Sequence, residues 1–291
     1  NLVWIYHKLS EFNIAGFENL KEWILGEFTI LFSNIYASAI SKSELECISE
    51  QAKNAGCFEN YLSIHSESSV FNYYYAWMLR GDSPELYAGG FFNEKEFLRQ
   101  NSPFLVNPSF PECYELRRYP DISLLYYMYH YNQKVRDSGS RIQEFPVGKY
   151  YVKAVSEIQK ALQKEIADRG IAIETNPSSN ILIGTFRKYE KHPIIHFYNR
   201  GLVHSMEQLQ ECPQIPVSVN TDDQGVFNTS LENEYALLAR AMESVTDQYG
   251  KPIYNKCDIY DWLDQIRCMG NEQSFGYIDD MKEKGGYYDL S

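Results

Sequence analysis

The chain has 291 residues, of which 44% are hydrophobic and 23% charged, with a formal net charge of −12 and a sequence pI near 5.0. This composition supplies enough apolar surface for a folded core. The acidic balance, without any run of basic residues, argues against a protein that follows the phosphates of double-stranded nucleic acid. The six Cys are scattered without C-x-x-C spacing, which favours free thiols in the reducing cytoplasm.

The first part of the chain, residues 1–145, has an almost wholly helical pattern. Apolar residues at helical spacing predict a helix over residues 1–12 and a second from about residue 17 to residue 35. The longest apolar stretch, residues 23–40, carries Glu27 and several polar side chains, so it predicts a core helix and no membrane span. The pattern Ser43-x-x-Glu46 predicts a capping box that opens the next helix.

An apolar and aromatic run predicts a helix over residues 69–79, and Asp121 is placed to cap a further helix that runs to about Val135. Both segments hold dense Tyr clusters, at 73–75 and at 126–131. Tyr combines apolar area with a hydrogen-bonding tip and is enriched at protein interfaces. The clusters therefore fit a homo-oligomer interface, a lid over a site, or plain packing of a helical core.

The second part of the chain alternates between helix and strand patterns. A long amphipathic helix is predicted over residues 149–169, and Gly170 ends it just before an apolar strand. A second short, buried strand begins at Val217. Helices are predicted over residues 231–245 and 258–268.

Two adjacent carboxylates, Asp222 and Asp223, follow the second strand. Enzymes with parallel strands place their chemistry at the carboxyl ends of those strands. Adjacent residues of a strand point to opposite faces, so one Asp would face a metal and the other a ligand. The alternative is an Asx turn that caps the following helix.

The order of short motifs around this pair resembles the adenosine and AMP deaminase family of metal-dependent (β/α)8 hydrolases. The family has a strand ending in a Pro-x-Ser-Asn type of turn, then His-Pro and Gly-Leu segments, a strand ending in Thr-Asp-Asp-Pro, and Glu-Tyr. The chain departs from that pattern at Gln224, where Pro is usual, and at Asn176, where many members have Cys or Ser. The matching residues are Asn176-Pro177-Ser178-Ser179-Asn180, His192-Pro193, Gly201-Leu202, Asn220-Thr221-Asp222-Asp223 and Glu234-Tyr235.

The resemblance implies roles for residues at those positions only. Asp222 takes the place of the catalytic aspartate that binds the metal and orients the attacking water. Asp223 takes the place of the aspartate that contacts the purine ring. The turn formed by Ser178, Ser179 and Asn180 borders the substrate mouth, so these residues are candidates for substrate binding. The implied substrate is a purine nucleoside or nucleotide, and the implied cofactor is Zn²⁺.

The other metal ligands of the family have no counterpart among the six His of the chain. None of them forms H-x-H or H-x-x-E, and none follows Gly on a plausible strand. A divalent metal usually needs three or more protein ligands, so we expect this chain alone to retain no zinc and to be inactive. His192 and His196 are four residues apart, but Pro193 places His192 at a helix start, and this favours a structural role over a metal site.

The predicted fold is α/β and predominantly helical, with the last two strand–helix units of a TIM-barrel deaminase and a mostly helical insertion. Residues 1–145 would form the insertion, between barrel strands six and seven. Residues 146–250 would form the two barrel units, and residues 251–291 would form a carboxyl-terminal helix and tail. We expect the carboxyl-terminal portion of a longer purine deaminase. The enlarged insertion is similar to bacterial anti-phage members, such as the RADAR deaminase and sensor-fused deaminases. The alternatives are a degenerate member that has lost its front half, and a deaminase-derived pseudoenzyme or assembly module.

Overall fold

The computed structural model describes residues 1–37, 39–54, 68–99 and 115–274. The described chain is predominantly helical and divides into two compact units, residues 1–158 and 159–291. Among the described residues, no helix is long and apolar enough to cross a membrane.

The described residues of the first unit are mostly helical. A π-helical segment, Ser33–Ala37, follows the second helix, and two short 3₁₀ helices, Leu79–Gly81 and Pro84–Tyr87, follow the fourth. The α-helices are α1 (Leu2–Glu11), α2 (Glu18–Phe32), α3 (Lys42–Asn54), α4 (Ser68–Met78), α5 (Glu94–Arg99), α6 (Pro120–Tyr131) and α7 (Gln133–Gly139).

Aromatic rings form much of the packing of the first unit. Helix α4 packs against α1 and α6, and α2 packs against α1. The His7 ring stacks on Tyr74 with ring centroids 3.7 Å apart, and Phe32 stacks on Tyr36 at 4.9 Å. The face of α4 that carries Tyr74 therefore belongs to the core, as the packing interpretation of the Tyr clusters requires.

A partly buried ion pair joins the turn after α4 to the segment just before α6. Arg117 donates to both carboxylate oxygens of Asp82 at 2.7 Å, and the Tyr87 hydroxyl donates to one of them. The Tyr126 hydroxyl donates to the Asp82 carbonyl at 2.8 Å. Because both Arg117 and Tyr87 donate hydrogen bonds to it, the Asp82 carboxylate is stable in a partly buried position.

Two predictions about helix starts in this unit are wrong. The capping box of α3 is Ser41-x-x-Glu44: the Ser41 N–H donates to the Glu44 carboxylate at 2.8 Å, and Ser41 Oγ accepts from the Glu44 N–H at 3.3 Å. The helix opens before Ser43, so Glu46 is too far inside it to reach an unpaired N–H. Asp121 lies within the first turn of α6, which begins at Pro120 because Pro fits the first helical position.

The second unit alternates between helices and two short strands. The boundary between the units falls inside α8 (Lys149–Asp168), which ends before Gly170 in a left-handed conformation, φ 65°. The other α-helices and strands are β1 (Ile173–Thr175), α9 (Pro177–Ile183), α10 (Ile194–Phe197), α11 (Met206–Glu211), β2 (Val217–Val219), α12 (Gln224–Phe227), α13 (Leu231–Ser244) and α14 (Lys256–Glu272). A 3₁₀ helix, Tyr189–Lys191, lies between α9 and α10.

The two strands pair in parallel, with Ile173 opposite Val217 and Thr175 opposite Val219. The chain returns from β1 to β2 through α9, α10 and α11, as a parallel connection requires. All three residues of β2 are buried, and α14 packs across this strand and against α13. Trp262 is fully buried in this core and donates its indole N–H to the Tyr198 carbonyl at 3.2 Å.

The strands and helices predicted for this unit are present. The helix predicted to run from residue 149 to Gly170 is α8, and the helix predicted after the Asp pair is α13. Two parallel strands are consistent with part of a (β/α)8 barrel, and the described residues form no closed barrel.

Candidate functional site

The candidate site lies where the two parallel strands end. The Thr175 hydroxyl donates to the Ser218 carbonyl at 2.8 Å, and Thr175 itself lies in register with Val219, the last residue of β2. These contacts hold the two carboxyl ends side by side. The turn that opens α9 and the Asp pair after β2 therefore meet at one edge of the sheet.

The backbone bond from the Asn220 N–H to the Thr175 carbonyl, 2.9 Å long, extends the strand pairing one residue past β2. Asn220 therefore still lies in register with the sheet, and the chain turns away only at Thr221. Asp222 follows with a φ of 57°, in the left-handed region that Asp and Asn tolerate better than most residues.

Ser179 and Asp222 are brought into contact at this edge. The Ser179 hydroxyl, whose residue is 1% exposed, donates to Asp222 Oδ2 at 2.8 Å. Asp222 itself is exposed to solvent. One carboxylate oxygen is thus fixed from the α9 side, on a residue that is exposed just beyond the end of the sheet.

Asp223 caps the following helix. Its Oδ1 accepts the Val226 N–H at 3.0 Å, which satisfies one of the unpaired donors at the start of α12. Both Asp residues lie beyond the end of β2, so the alternation of a strand does not set their directions. The capping interpretation is therefore confirmed for Asp223, and its other carboxylate oxygen accepts no hydrogen bond from the described residues.

Glu234 fixes the turn that carries the serines. Glu234 is fully buried in α13. One of its carboxylate oxygens accepts a hydrogen bond from the Ser178 N–H at 2.9 Å, and the other accepts one from the Thr229 hydroxyl at 2.6 Å. A buried carboxylate at a helix N-terminus is stabilised by the unpaired N–H groups there. Glu234 thereby holds the first turn of α9, and so the position of Ser179.

His192 supports the same turn from the other side. Its Nδ1 accepts the Ile194 N–H at 3.2 Å, so Nε2 carries the proton and donates to Asn180 Oδ1 at 3.0 Å. Burial lowers the pKa of His192 to about 4, against a smaller opposing effect of Glu234. The ring is therefore neutral near pH 7, and it orients the Asn180 amide.

The predicted site residues thus divide into two groups. Ser179 meets Asp222, whereas Asn180 is engaged by His192 and Ser178 by Glu234. The Ser178 hydroxyl also lies 3.0 Å from the Tyr189 hydroxyl. Ser178 lines an open groove of about 490 Å³ that neither Asp222 nor Asp223 lines.

A zinc site does not form from the described residues alone. Within residues 1–37, 39–54, 68–99 and 115–274, no three His, Cys, Asp or Glu side chains are grouped to hold a metal ion. Asp222 supplies a single carboxylate, and zinc in proteins takes three or more protein ligands. His192 is committed to Ile194 and Asn180 and presents no lone pair to a metal.

Sequence reasoning assigned no role to Glu234, Thr229 or Tyr189. Helix periodicity could have shown that Glu234 is buried, because Glu234 shares one face of α13 with Leu238 and Ala241. A carboxylate on an apolar helix face needs hydrogen-bonding partners.

The segment that forms this edge of the sheet is similar to known proteins. A family model described as adenosine deaminase matches residues 149–255. The chain is 36% identical over 81 residues to an aminodeoxyfutalosine deaminase of Streptomyces coelicolor, covering 28% of this chain and 18% of that protein. It is 30% identical over 108 residues to an adenine deaminase of Sinorhizobium medicae, and these residues cover 37% of this chain and 28% of that protein.

An adenosine deaminase of Pectobacterium atrosepticum is 34% identical over 82 residues, which cover 28% of this chain and 20% of that protein. The chain thus spans less than a third of the length of each of these relatives. No solved structure matches the chain at a significant level. Residues 149–255, which carry β1, β2 and the Ser179–Asp222 contact, are thus the part of the chain that is similar to the adenosine deaminase family.

Proposed function

We propose that this chain supplies the carboxyl-terminal part of a zinc-dependent purine deaminase, which removes the 6-amino group of an adenine ring as ammonia. The observation that carries the proposal is the hydrogen bond from Ser179 to Asp222 at the carboxyl ends of two parallel strands. It joins the two segments that carry the family motifs. It also fixes one oxygen of an exposed carboxylate at the strand ends, where enzymes of the (β/α)8 fold place their chemistry.

In this proposal Asp222 is the catalytic carboxylate. Ser179 holds Oδ2, so the remaining oxygen has a defined direction from which to accept a proton or a hydrogen bond from water. Asp222 would also be one ligand of the zinc ion that the family resemblance implies. Because one carboxylate cannot hold zinc, the other ligands must come from outside the described residues.

Asp223 is the proposed contact for the purine ring. Its Oδ1 is fixed by the Val226 N–H, which leaves Oδ2 to hydrogen-bond with a ring nitrogen. Capping gives this carboxylate a single orientation before the substrate binds. Ser178, Ser179 and Asn180 contribute to substrate binding by shaping the turn beside the pair.

The relatives are named as deaminases of adenine, adenosine and aminodeoxyfutalosine, so the test is a substrate panel. We would express the polypeptide that the gene encodes with added zinc and measure ammonia release from adenine, adenosine, AMP and ATP. Release from at least one of them, abolished by a zinc chelator and restored by zinc, is the expected result. A correctly folded, zinc-supplemented protein that releases no ammonia from any of the four would refute the proposal.

In the same proposal, the helices before α8 form an insertion in an enlarged deaminase of the anti-phage type. The support is the compact helical unit, residues 1–158, that precedes β1 in the chain. A bacterial host that carries the gene should then show fewer phage plaques than a host that carries the Asp222→Asn variant. Equal plaque numbers would remove the defence role and leave the deaminase proposal in place.

A second candidate function is assembly, with the chain acting as an interaction module of deaminase origin. The favouring observation is the exposure of Tyr129 and Tyr131 on α6, at 61% and 42%. Exposed Tyr residues are typical of protein interfaces. Light scattering should then report a homo-oligomer that dissociates when Tyr129 and Tyr131 are both changed to Ser, and a monomeric wild-type protein would exclude this candidate.

A further inference from the structure

The first unit contains a cavity of about 290 Å³ between α4, α6 and the π-helical segment Ser33–Ala37. This volume is close to the lower end of the range for small-molecule sites, roughly 300 to 1,000 Å³. The wall that the described residues form is mostly aromatic and lacks any acidic side chain. Its lining residues are Tyr36, Tyr73, Ala76, Trp77, Arg80, Leu125, Tyr126, Tyr129 and His130.

Helical spacing explains why these residues share one cavity. Tyr73, Trp77 and Arg80 recur at intervals of three or four residues, so they lie along one side of α4 and its 3₁₀ extension. Tyr126 and His130 are likewise four residues apart on α6. Because α4 packs against α6, the two rows face each other on rigid elements and not on loops.

The only formally charged side chain in the wall, among the described residues, is Arg80. Its guanidinium carbon lies 3.7 Å from the centroid of the Trp77 ring, in a stacked arrangement. Arg80 is exposed, and no carboxylate of the described residues forms an ion pair with it. A stacked guanidinium presents its N–H groups at its edge, where they match the oxygens of a phosphate or carboxylate.

The remaining polar groups of the wall are neutral near pH 7. Burial raises the pKa of the Tyr36 and Tyr73 hydroxyls, and it lowers the pKa of His130. The Tyr126 hydroxyl is already committed to the Asp82 carbonyl, so Tyr126 offers its ring and not its hydroxyl. The cavity therefore combines ring faces, neutral hydrogen-bonding groups and one cation at its exposed side.

We propose that this cavity binds a nucleoside monophosphate, with the base among the aromatic rings and the phosphate at Arg80. Stacking against Tyr and Trp faces is the usual means by which proteins hold a single nucleobase. A cationic ligand is disfavoured by Arg80, and a dinucleotide is too large for the volume. The proposal does not depend on the deaminase function, because every lining residue lies in the first unit.

Isothermal titration calorimetry of the whole chain with AMP, adenosine and inorganic phosphate tests the proposal. AMP should bind most tightly. Arg80→Gln should lower the affinity for AMP at least tenfold, while it should change the affinity for adenosine less than about twofold. Arg99→Gln is the matched control, because Arg99 is an exposed Arg of the same unit outside the cavity. It should leave AMP binding unchanged.

A second variant separates the cavity from any other nucleotide site. Ala76→Leu fills the cavity and should abolish binding of both AMP and adenosine, whereas Asp261→Asn, at an exposed Asp of α14 in the second unit, should leave this binding unchanged. Circular dichroism would confirm that each variant is folded, and Arg80→Gln carries the test if Ala76→Leu does not fold. Absence of AMP binding to the wild type, equal weakening by Arg80→Gln and Arg99→Gln, or phosphate binding as tightly as AMP would each overturn the proposal.

Discussion

At the residue scale, Glu234 links three parts of the second unit through one buried carboxylate. It accepts from Ser178 at the start of α9 and from Thr229 in the turn before α13. Both donors lose their partner if the carboxylate is removed. The position of Ser179, and through it the direction of Asp222, depends on this buried group.

Glu234→Ala should destabilise the protein by about 3 kcal/mol, because it leaves the Ser178 N–H and the Thr229 hydroxyl without acceptors. Urea denaturation followed by circular dichroism measures the loss. Glu232→Ala is the matched control, since Glu232 is an exposed carboxylate in the first turn of the same helix. A loss no greater than that of the control would show that the Glu234 hydrogen bonds do not stabilise the fold.

His192 should make stability depend on pH. Its pKa is lowered by burial from 6.5 to about 4, so the unfolded chain binds this proton more readily than the folded one. The stabilisation is complete above pH 6.5 and is lost as the pH falls towards 4, by up to about 3 kcal/mol.

Urea denaturation across that pH range would measure the effect in the wild type and in His192→Gln. Gln has no titratable group, and its amide keeps a donor for Asn180. The variant should lose less stability than the wild type as the pH falls from 6.5 to 4. Parallel curves for the two proteins would contradict the assignment of a buried, neutral His192.

At the element scale, the start of α3 shows that a capping motif in the sequence does not by itself locate the first residue of a helix. Two Ser-x-x-Glu patterns overlap here, Ser41-x-x-Glu44 and Ser43-x-x-Glu46. Both satisfy the motif, and the helix uses the first because its N–H groups become unpaired from Lys42 onward. Pattern alone could not choose between them.

Ser41→Ala should therefore cost about 1 kcal/mol of stability, as loss of a helix cap usually does. Ser43→Ala is the matched control and should cost less, since the Ser43 hydroxyl caps no backbone N–H of α3. Thermal denaturation of the two variants measures the difference. A larger loss for Ser43→Ala would contradict the capping box at Ser41.

The strongly periodic elements could be predicted from the sequence, and the site could be predicted only in part. Helix α8 and the strand ending at Thr175 follow from amphipathic spacing and from Gly170. The contact between Ser179 and Asp222 spans two segments of the chain, so periodicity within either segment could not reveal it. The family resemblance placed both residues near one site, and the parallel pairing of β1 and β2 supplied their contact.

At the scale of the whole molecule, the proposed deaminase site and the aromatic cavity lie in different units. The second unit carries most of the segment that matches the deaminase family, and the first carries the aromatic cavity beside Arg80. Asp222 is the residue on which the proposed function depends most. Its left-handed backbone, φ 57°, guides the choice of variant, because Asn tolerates this conformation and Ala does not.

The most direct test is ammonia release from adenine compounds by the polypeptide that the gene encodes, compared between wild type, Asp222→Asn and Asp261→Asn. Asn keeps the backbone conformation at 222 and removes the charge, and Asp261 is an exposed Asp of α14 outside the site. We predict activity in the wild type and in Asp261→Asn, and a loss of at least about a thousandfold in Asp222→Asn. Near-normal activity in a folded Asp222→Asn protein would contradict the assignment of Asp222 to the catalytic site.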